Sequence, residues 1–377
     1  MKSITEYIIS EMKWHNIADK LANDKRPYAR NLSKKVRKHA ETFDETLTPR
    51  SKKELIVLLE HLIKERGYDG DFNDVNTSAI TDMSDLFDKM PNFNGNISKW
   101  DVSNVKDMNH MFWHCKSFNQ PLNDWNVSNV TDMSSMFSNC EKFNQPLNKW
   151  NVSNVTNMRY IFAKCESFNQ DLSKWDVSNV KDMERMFEDC EVFNQSLNNW
   201  DVSNVTKMEK MFSGCDVFNK PLDKWNVSNV TNMENMFGGC IEFNQPLNNW
   251  DVSKVTNMSD LFYNCNSFNQ PLDKWDVSNV EDMQGMFGHC KSFNQDISNW
   301  DVSNVKNMYW MFYDCQAFNQ DLSNWDVSKV ADMRKMFAHC GKAKIIINGW
   351  KVRSSCKLED FIAGSKYVES DWYDYED

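Results

Sequence analysis

The sequence predicts an α/β solenoid: a right-handed coil with a parallel sheet on one face and short helices on the other, preceded by N-terminal helices. Three observations predict it. Tryptophan recurs every 25 residues from Trp100 to Trp350. Cysteine recurs at the same interval from Cys115 to Cys340. Around them the unit F-N-Q-P/D-L-x-x-W-D/N-V-S-N-V-x-x-M-x-x-M-F-x-x-C returns in about eleven copies. A fixed period of this length marks a repeat architecture, in which each unit buries its apolar face only against its neighbours.

One copy, residues 118–142, shows the expected elements. In Leu122-Asn123-Asp124-Trp125-Asn126-Val127, Trp125 and Val127 are two apart and share one face of a strand. Ser128 and Asn129 offer a helix N-cap. Val130, Met133, Met136, Phe137 and Cys140 follow at spacings that one face of a helix satisfies. The residues from Asn139 to Asn144 supply the return turn. Strands stack at ~4.8 Å and helices at ~8–10 Å, so such a coil would bend with its helices outside, more weakly if the convex segment is only a 3₁₀ turn.

The ends depart from the consensus as caps should. Residues 72–90 keep the register with Val75 at the Trp position and Met90 at the Cys position. Ser51 to Arg66 reads as an amphipathic helix closed by Gly67, placed to cover the first sheet edge. Ile345, Ile346, Ile347, Trp350 and Val352 read as a last strand, and Leu358, Phe361 and Ile362 as a last helix. Three regions result: an N-terminal helical region (1–68, with a basic stretch at 25–38 and a capping helix at 51–67), the solenoid (69–365), and an acidic tail (366–377), of which residues 371–377 read as disordered.

The formal net charge of −11 argues against a general nucleic-acid binder. The charge is uneven: residues 1–60 are net basic and the remainder strongly acidic. No apolar run approaches the ~18 residues of a membrane span. The start, with Glu6 and Glu11 and no long apolar stretch, does not read as a secretory signal. The expected setting is cytoplasmic or virion-associated rather than the cell surface, without membrane insertion.

The L-x-x-W-D-V-S-N-V-x-x-M-x-x-M-F-x-x-C unit resembles the BspA-like leucine-rich repeat family, which includes a bacterial surface-protein repeat of about this length. The resemblance covers roughly residues 70–365. It implies a leucine-rich-repeat-like solenoid and surface attachment or host interaction, and it brings no catalytic residues. The leader MKSITEYIISE resembles short leaders on bacteriophage proteins.

The side chains that could carry chemistry read mostly as structure. The cysteine column lacks the C-x-x-C clusters of metal sites and reads as small buried residues in a reducing compartment. The tryptophan and methionine columns read as core. The asparagine column (Asn119, Asn144, Asn169) reads as a turn ladder. Asp107, Asp132, Asp182, Asp282 and Asp332 read as acids at helix starts. His15, His39, His61, His110, His114, His289 and His339 join no catalytic motif. The expectation is therefore a non-enzymatic module without metal or cofactor.

Where the copies differ, they differ on the expected helices. Tyr263, Tyr309, Trp310 and Tyr313 form a candidate partner patch, Tyr309 and Tyr313 being four apart on one helix face, and Trp113 is a separate aromatic near the other end. Lys25, Arg26, Arg30, Lys34, Lys35, Arg37 and Lys38 form a candidate basic docking segment. The expected partner is a protein or a glycan, bound by a monomer or within a larger assembly. Two readings follow: an interaction or adhesion module, or a structural component of an assembly such as a virion, anchored through the N-terminal helices.

Overall fold

A computed structural model describes residues 47–341, 344–365 and 368–369. The basic stretch at 25–38 and the rest of the first 46 residues lie outside the described residues, as does the acidic tail apart from 368–369. One α-helix is present among the described residues, α1 (Lys52–Arg66). Ser51 caps it by accepting the amide of Glu54, and Gly67 ends it at φ 76° with its N–H on the Ile63 carbonyl. Leu55, Leu58, Leu59, Leu62 and Ile63 are buried in the same core as Phe72 and Val75. At the other end β1 (Ile345–Ile346) pairs in parallel with β2 (Val368–Glu369).

Between them the chain is a coil of stacked 25-residue turns. Parallel bridges join equivalent positions from Asp82 to Lys357, 25 residues at a time. The apolar columns form one continuous interior from Leu55 to Phe361. Leu122, Val130, Met133, Phe137 and Cys140 are fully buried, and every tryptophan of the 25-residue column from Trp100 to Trp350 is 3–4% exposed. Neighbouring tryptophan rings lie parallel, as in Trp150–Trp175 at 6.3 Å. Phenylalanines do the same, as in Phe137–Phe162 at 5.7 Å. Stacking of coils in sequence order is thus what buries the apolar residues.

The local elements differ from the expectation. The segment read as a helix is a ribbon of tight turns, and it carries the inter-coil ladder. In the coil at 106–115, the amides of Met108, His110, Phe112 and His114 donate to carbonyls of Asp132, Ser134, Met136 and Ser138 in the next coil. The intervening amides of Met111, Trp113 and Cys115 close turns three residues back. An α-helix would send all these donors to carbonyls within the segment. Each turn ending on Met111 or Cys115 has a third residue of positive φ, His110 at 54° and His114 at 62°, as a type II turn requires. Turns closing at three-residue intervals and a helix of 3.6 residues per turn put apolar residues at nearly the same spacing, so periodicity alone could not separate them.

The segment read as a strand is corrected too. Trp125 N–H closes a turn on the Leu122 carbonyl, and no backbone ladder runs there. Side chains take its place. The Trp150 indole N–H donates to the Leu122 carbonyl of the preceding coil at 2.9 Å. The Cys140 thiol donates to the Phe112 carbonyl at 3.0 Å. Asn119 Oδ1 accepts the amide of Asn144 at 3.0 Å and the side chain of Gln145 at 3.1 Å, so the asparagine column is a turn ladder that links coils. The acids at 107, 132, 182, 282 and 332 do not serve a helix dipole. Each accepts the backbone N–H two residues on, as Asp132 does from Ser134 at 2.8 Å, which is an Asx turn.

Candidate partner-binding face

The turn ribbon decides which side chains face out. Met108, Met111, Phe112 and Cys115 point inward and are buried, whereas positions 109, 110, 113 and 114 stay half-exposed. Equivalent positions in later coils therefore form four outward columns along the ladder. Tyr309, Trp310 and Tyr313 occupy three of these columns in one coil. They are neighbours on a turn ribbon, not residues of one helix face. The Tyr309 and Trp310 rings stack at 5.2 Å and those of Trp310 and Tyr313 at 4.8 Å. The next coil covers part of this surface: the Arg334 guanidinium lies 5.1 Å from the Tyr309 ring centre and the Lys335 ammonium 5.8 Å from that of Trp310. Arg334 is held there by Asp332 at 2.6 Å. The Trp310 indole nitrogen is buried without an acceptor.

Tyr263 joins the patch through a residue that sequence reasoning missed. Tyr263, His289, Tyr313 and His339 alternate in successive coils, with ring centres 5.3, 5.1 and 5.4 Å apart and planes at 70–88°. Gly288 makes this possible, because a Cβ there would lie 3.0 Å from Tyr263 Cδ2. His289 Nδ1 is 3.1 Å from Asp314 Oδ2. An open cavity of about 590 Å³ beside the column is lined by His289, Tyr313, Asp314, Gln316, His339, Gly341 and Gly364. Gln316 bridges its floor, donating to the His339 carbonyl at 2.7 Å. The available signal was the His-Cys pair: the Cys290 thiol turns inward to the Phe262 carbonyl, which sends the residue before it outward.

Trp113 sits far along the chain from this patch. It packs edge-on against His110 at 5.4 Å and His114 at 4.2 Å. A further aromatic, Tyr160, shares the outward column of His110 and Trp310. It lies between Arg159 and Arg185, whose guanidinium carbons are 4.9 and 5.2 Å from its ring centre.

Between these groups the outward columns are acidic. Burial, then the charges of Glu234 and Asp282, push the Asp260 carboxyl up to about 6. Burial also raises Glu209 and Glu188. In the interior, burial pushes the Cys115 and Cys340 thiols up to about 12. Among the described residues no group of three His, Cys, Asp or Glu side chains is placed to hold a metal ion, and no helix is long and apolar enough to cross a membrane.

The geometry defines a tandem-repeat solenoid with an aromatic and imidazole face near its C-terminal end. The chain belongs to the family described as Mycoplasma protein of unknown function, DUF285, whose model matches residues 59–162, 123–215, 196–291 and 267–375. No curated protein matches it. Among solved structures, the crystal structure of a TLR13–ssRNA13 complex is similar at 10% identity, over 80% of this chain and 53% of that one, with a TM-score of 0.20. This chain thus spans about half the length of that structure.

Proposed function

We propose that the protein is a non-enzymatic binding module whose partner-contact face is the cluster Tyr263, His289, Tyr309, Trp310, Tyr313 and His339. One observation carries the reading. Repeats whose outward positions are mostly polar gather stacked aromatic rings, two imidazoles and a cavity on one stretch of the surface. Half-exposed aromatics in a polar rim are the residues that dominate binding energy at interfaces. The rigid ladder behind them lowers the ordering cost of association. The resemblance to BspA-like repeats favours adhesion, with a protein or glycan as partner.

The test applies the full chain to glycan and peptide arrays beside a Trp310→Ala/Tyr313→Ala variant. Specific binding by the parent that falls at least about tenfold in the variant is expected, since two aromatic contacts of ~1 kcal/mol or more each would be lost. A ligand bound equally by both proteins would overturn the assignment of this face.

A second reading, a structural component of a larger assembly such as a virion, is favoured by the basic stretch at 25–38 ahead of an acidic solenoid. A full-length chain with Lys34, Lys35, Arg37 and Lys38 changed to Glu would then lose incorporation while keeping array binding.

A further inference from the structure

Four rows of the ladder share one direction, opposite to that of the row in which Thr131 donates to Lys106 and Thr156 to Thr131. In these four rows the donor always belongs to the earlier coil and the acceptor to the later one, as in Met308 to Asp332, Trp310 to Arg334, Phe312 to Met336 and Asp314 to Ala338. The same bonds recur along the solenoid and end at the coil of Met333, Lys335, Phe337 and His339, which donate to Lys357, Glu359, Phe361 and Ala363. The next donors in these rows are the amides of Leu358, Asp360, Ile362 and Gly364. Among the described residues no acceptor meets any of the four. Aligned amide–carbonyl bonds polarise one another, so the rows terminate in a line of unpaired N–H groups at their positive end.

The side chains at this edge are also unfinished. Ile362 replaces the fully buried phenylalanine of other coils and is 41% exposed. Leu358, at the position where Met333 is completely buried, is only partly covered. The opposite end is closed: α1 packs there, Leu86 is buried, and Lys52 reaches Asp82 and Ser84. That cover keeps a second copy from stacking head to tail. The charge at the open end is distinctive as well. Arg353 and Lys357 are exposed, and residues 344–358 carry no acid, Glu359 and Asp360 being the first to follow, in a chain that is otherwise acidic.

We infer that the C-terminal coil is a docking edge for an extended acidic segment of another polypeptide, which adds one more row to the ladder. Its backbone carbonyls, two residues apart, accept from Leu358, Asp360, Ile362 and Gly364. Its apolar side chains cover Leu358 and Ile362, and its carboxylates face Arg353 and Lys357. This is strand addition at an exposed ladder edge. The surface is distinct from the aromatic face proposed above and does not depend on it.

The test is amide hydrogen exchange on the full chain with two synthetic peptides, one alternating Glu with Val and one alternating Lys with Val. Without peptide, the amides of Leu358, Asp360, Ile362 and Gly364 should exchange rapidly while those of Met333, Lys335, Phe337 and His339 are protected. The Glu-Val peptide should slow exchange at the four edge amides at least tenfold, and the Lys-Val peptide should not. An Arg353→Glu/Lys357→Glu variant, whose changes lie on exposed side chains, should lose that protection while keeping the protection of Met333 to His339. Protection by both peptides alike, protection elsewhere, or none at millimolar peptide would overturn the proposal. So would edge protection that rises with protein concentration alone, which would assign the edge to a second copy.

Discussion

The indole N–H of Trp150 donates to the carbonyl oxygen of Leu122, 2.9 Å away in the preceding coil, in a region where no backbone bond joins the two coils. The same bond recurs from Trp100 to Trp350, for example Trp200 to Leu172 at 3.0 Å. The tryptophan column therefore supplies both dry area and the hydrogen bonds that a strand would have supplied there.

Replacing Trp200 by Phe should keep much of the ring stack but leave the buried Leu172 carbonyl unsatisfied. An unpaired buried polar group costs about 1–3 kcal/mol. Trp200→Ala should cost more, about 3–5 kcal/mol, because a cavity is added. Urea unfolding followed by circular dichroism checks both. Equal stability of Trp200→Phe and the parent would show that the indole bond contributes nothing.

The thiols should be inert in the native state. The thiolate is the reactive form, and burial holds the Cys115 and Cys340 thiols up near 12. Cys356, only partly covered, is raised to about 11. Titration with a thiol reagent near pH 8 should label Cys356 first and the buried column only on unfolding. Rapid native labelling at Cys190 or Cys215 would contradict the packing.

The register and the core were legible in the sequence because they follow from the 25-residue recurrence of Trp, Met, Phe and Cys, whatever local backbone joins them. The turn ribbon was not, since Val130, Met133, Met136, Phe137 and Cys140 have the same spacing on a helix. The discriminating signal lay one residue before each cysteine. His114, Asn139, Asp189, Gly214, Gly239, Asn264, His289, Asp314 and His339 are residue types that tolerate a left-handed backbone, and all have positive φ. The patch was half legible. Tyr309, Trp310 and Tyr313 announce themselves as unusual residues, but His289 and His339 become part of it only through inter-coil stacking.

That backbone rule gives a further prediction. Lys164 is exposed and sits at φ 60°, where a side chain with a Cβ is strained by ~1–2 kcal/mol. Lys164→Gly should relieve this, with part of the gain offset by the freer unfolded chain. The net expectation is a stabilisation of up to about 1 kcal/mol. In contrast, Gly214, at φ 72° with Asp189 Oδ1 filling the space of a Cβ, should be destabilised by Ala. Thermal unfolding of the two variants tests the contrast, and a shift in the same direction for both would sink it.

The acidic columns make stability depend on pH in a definable direction. Burial and the charges of Glu234 and Asp282 raise the Asp260 carboxyl to about 6 in the fold, against ~3.9 in an unfolded chain. A raised carboxyl binds its proton more tightly when folded. Its contribution is fully present below about 4 and is lost as pH rises through about 6. The full linkage for about two units would approach ~3 kcal/mol, and solvent screening of a partly exposed group brings it to about 1–2 kcal/mol. Asp182 and Asp282 also face this column, while Lys210 opposes the shift at Asp260. Asn at 260 keeps the left-handed backbone, since Asp260 has φ 55° and Asn tolerates it. Asp260→Asn should therefore match the parent near pH 4–5 and exceed it by about 1–2 kcal/mol at pH 7–8. Urea midpoints across that range decide it. A constant difference between the two proteins at all pH values would mean that Asp260 is ionised in the fold as it is in the unfolded chain.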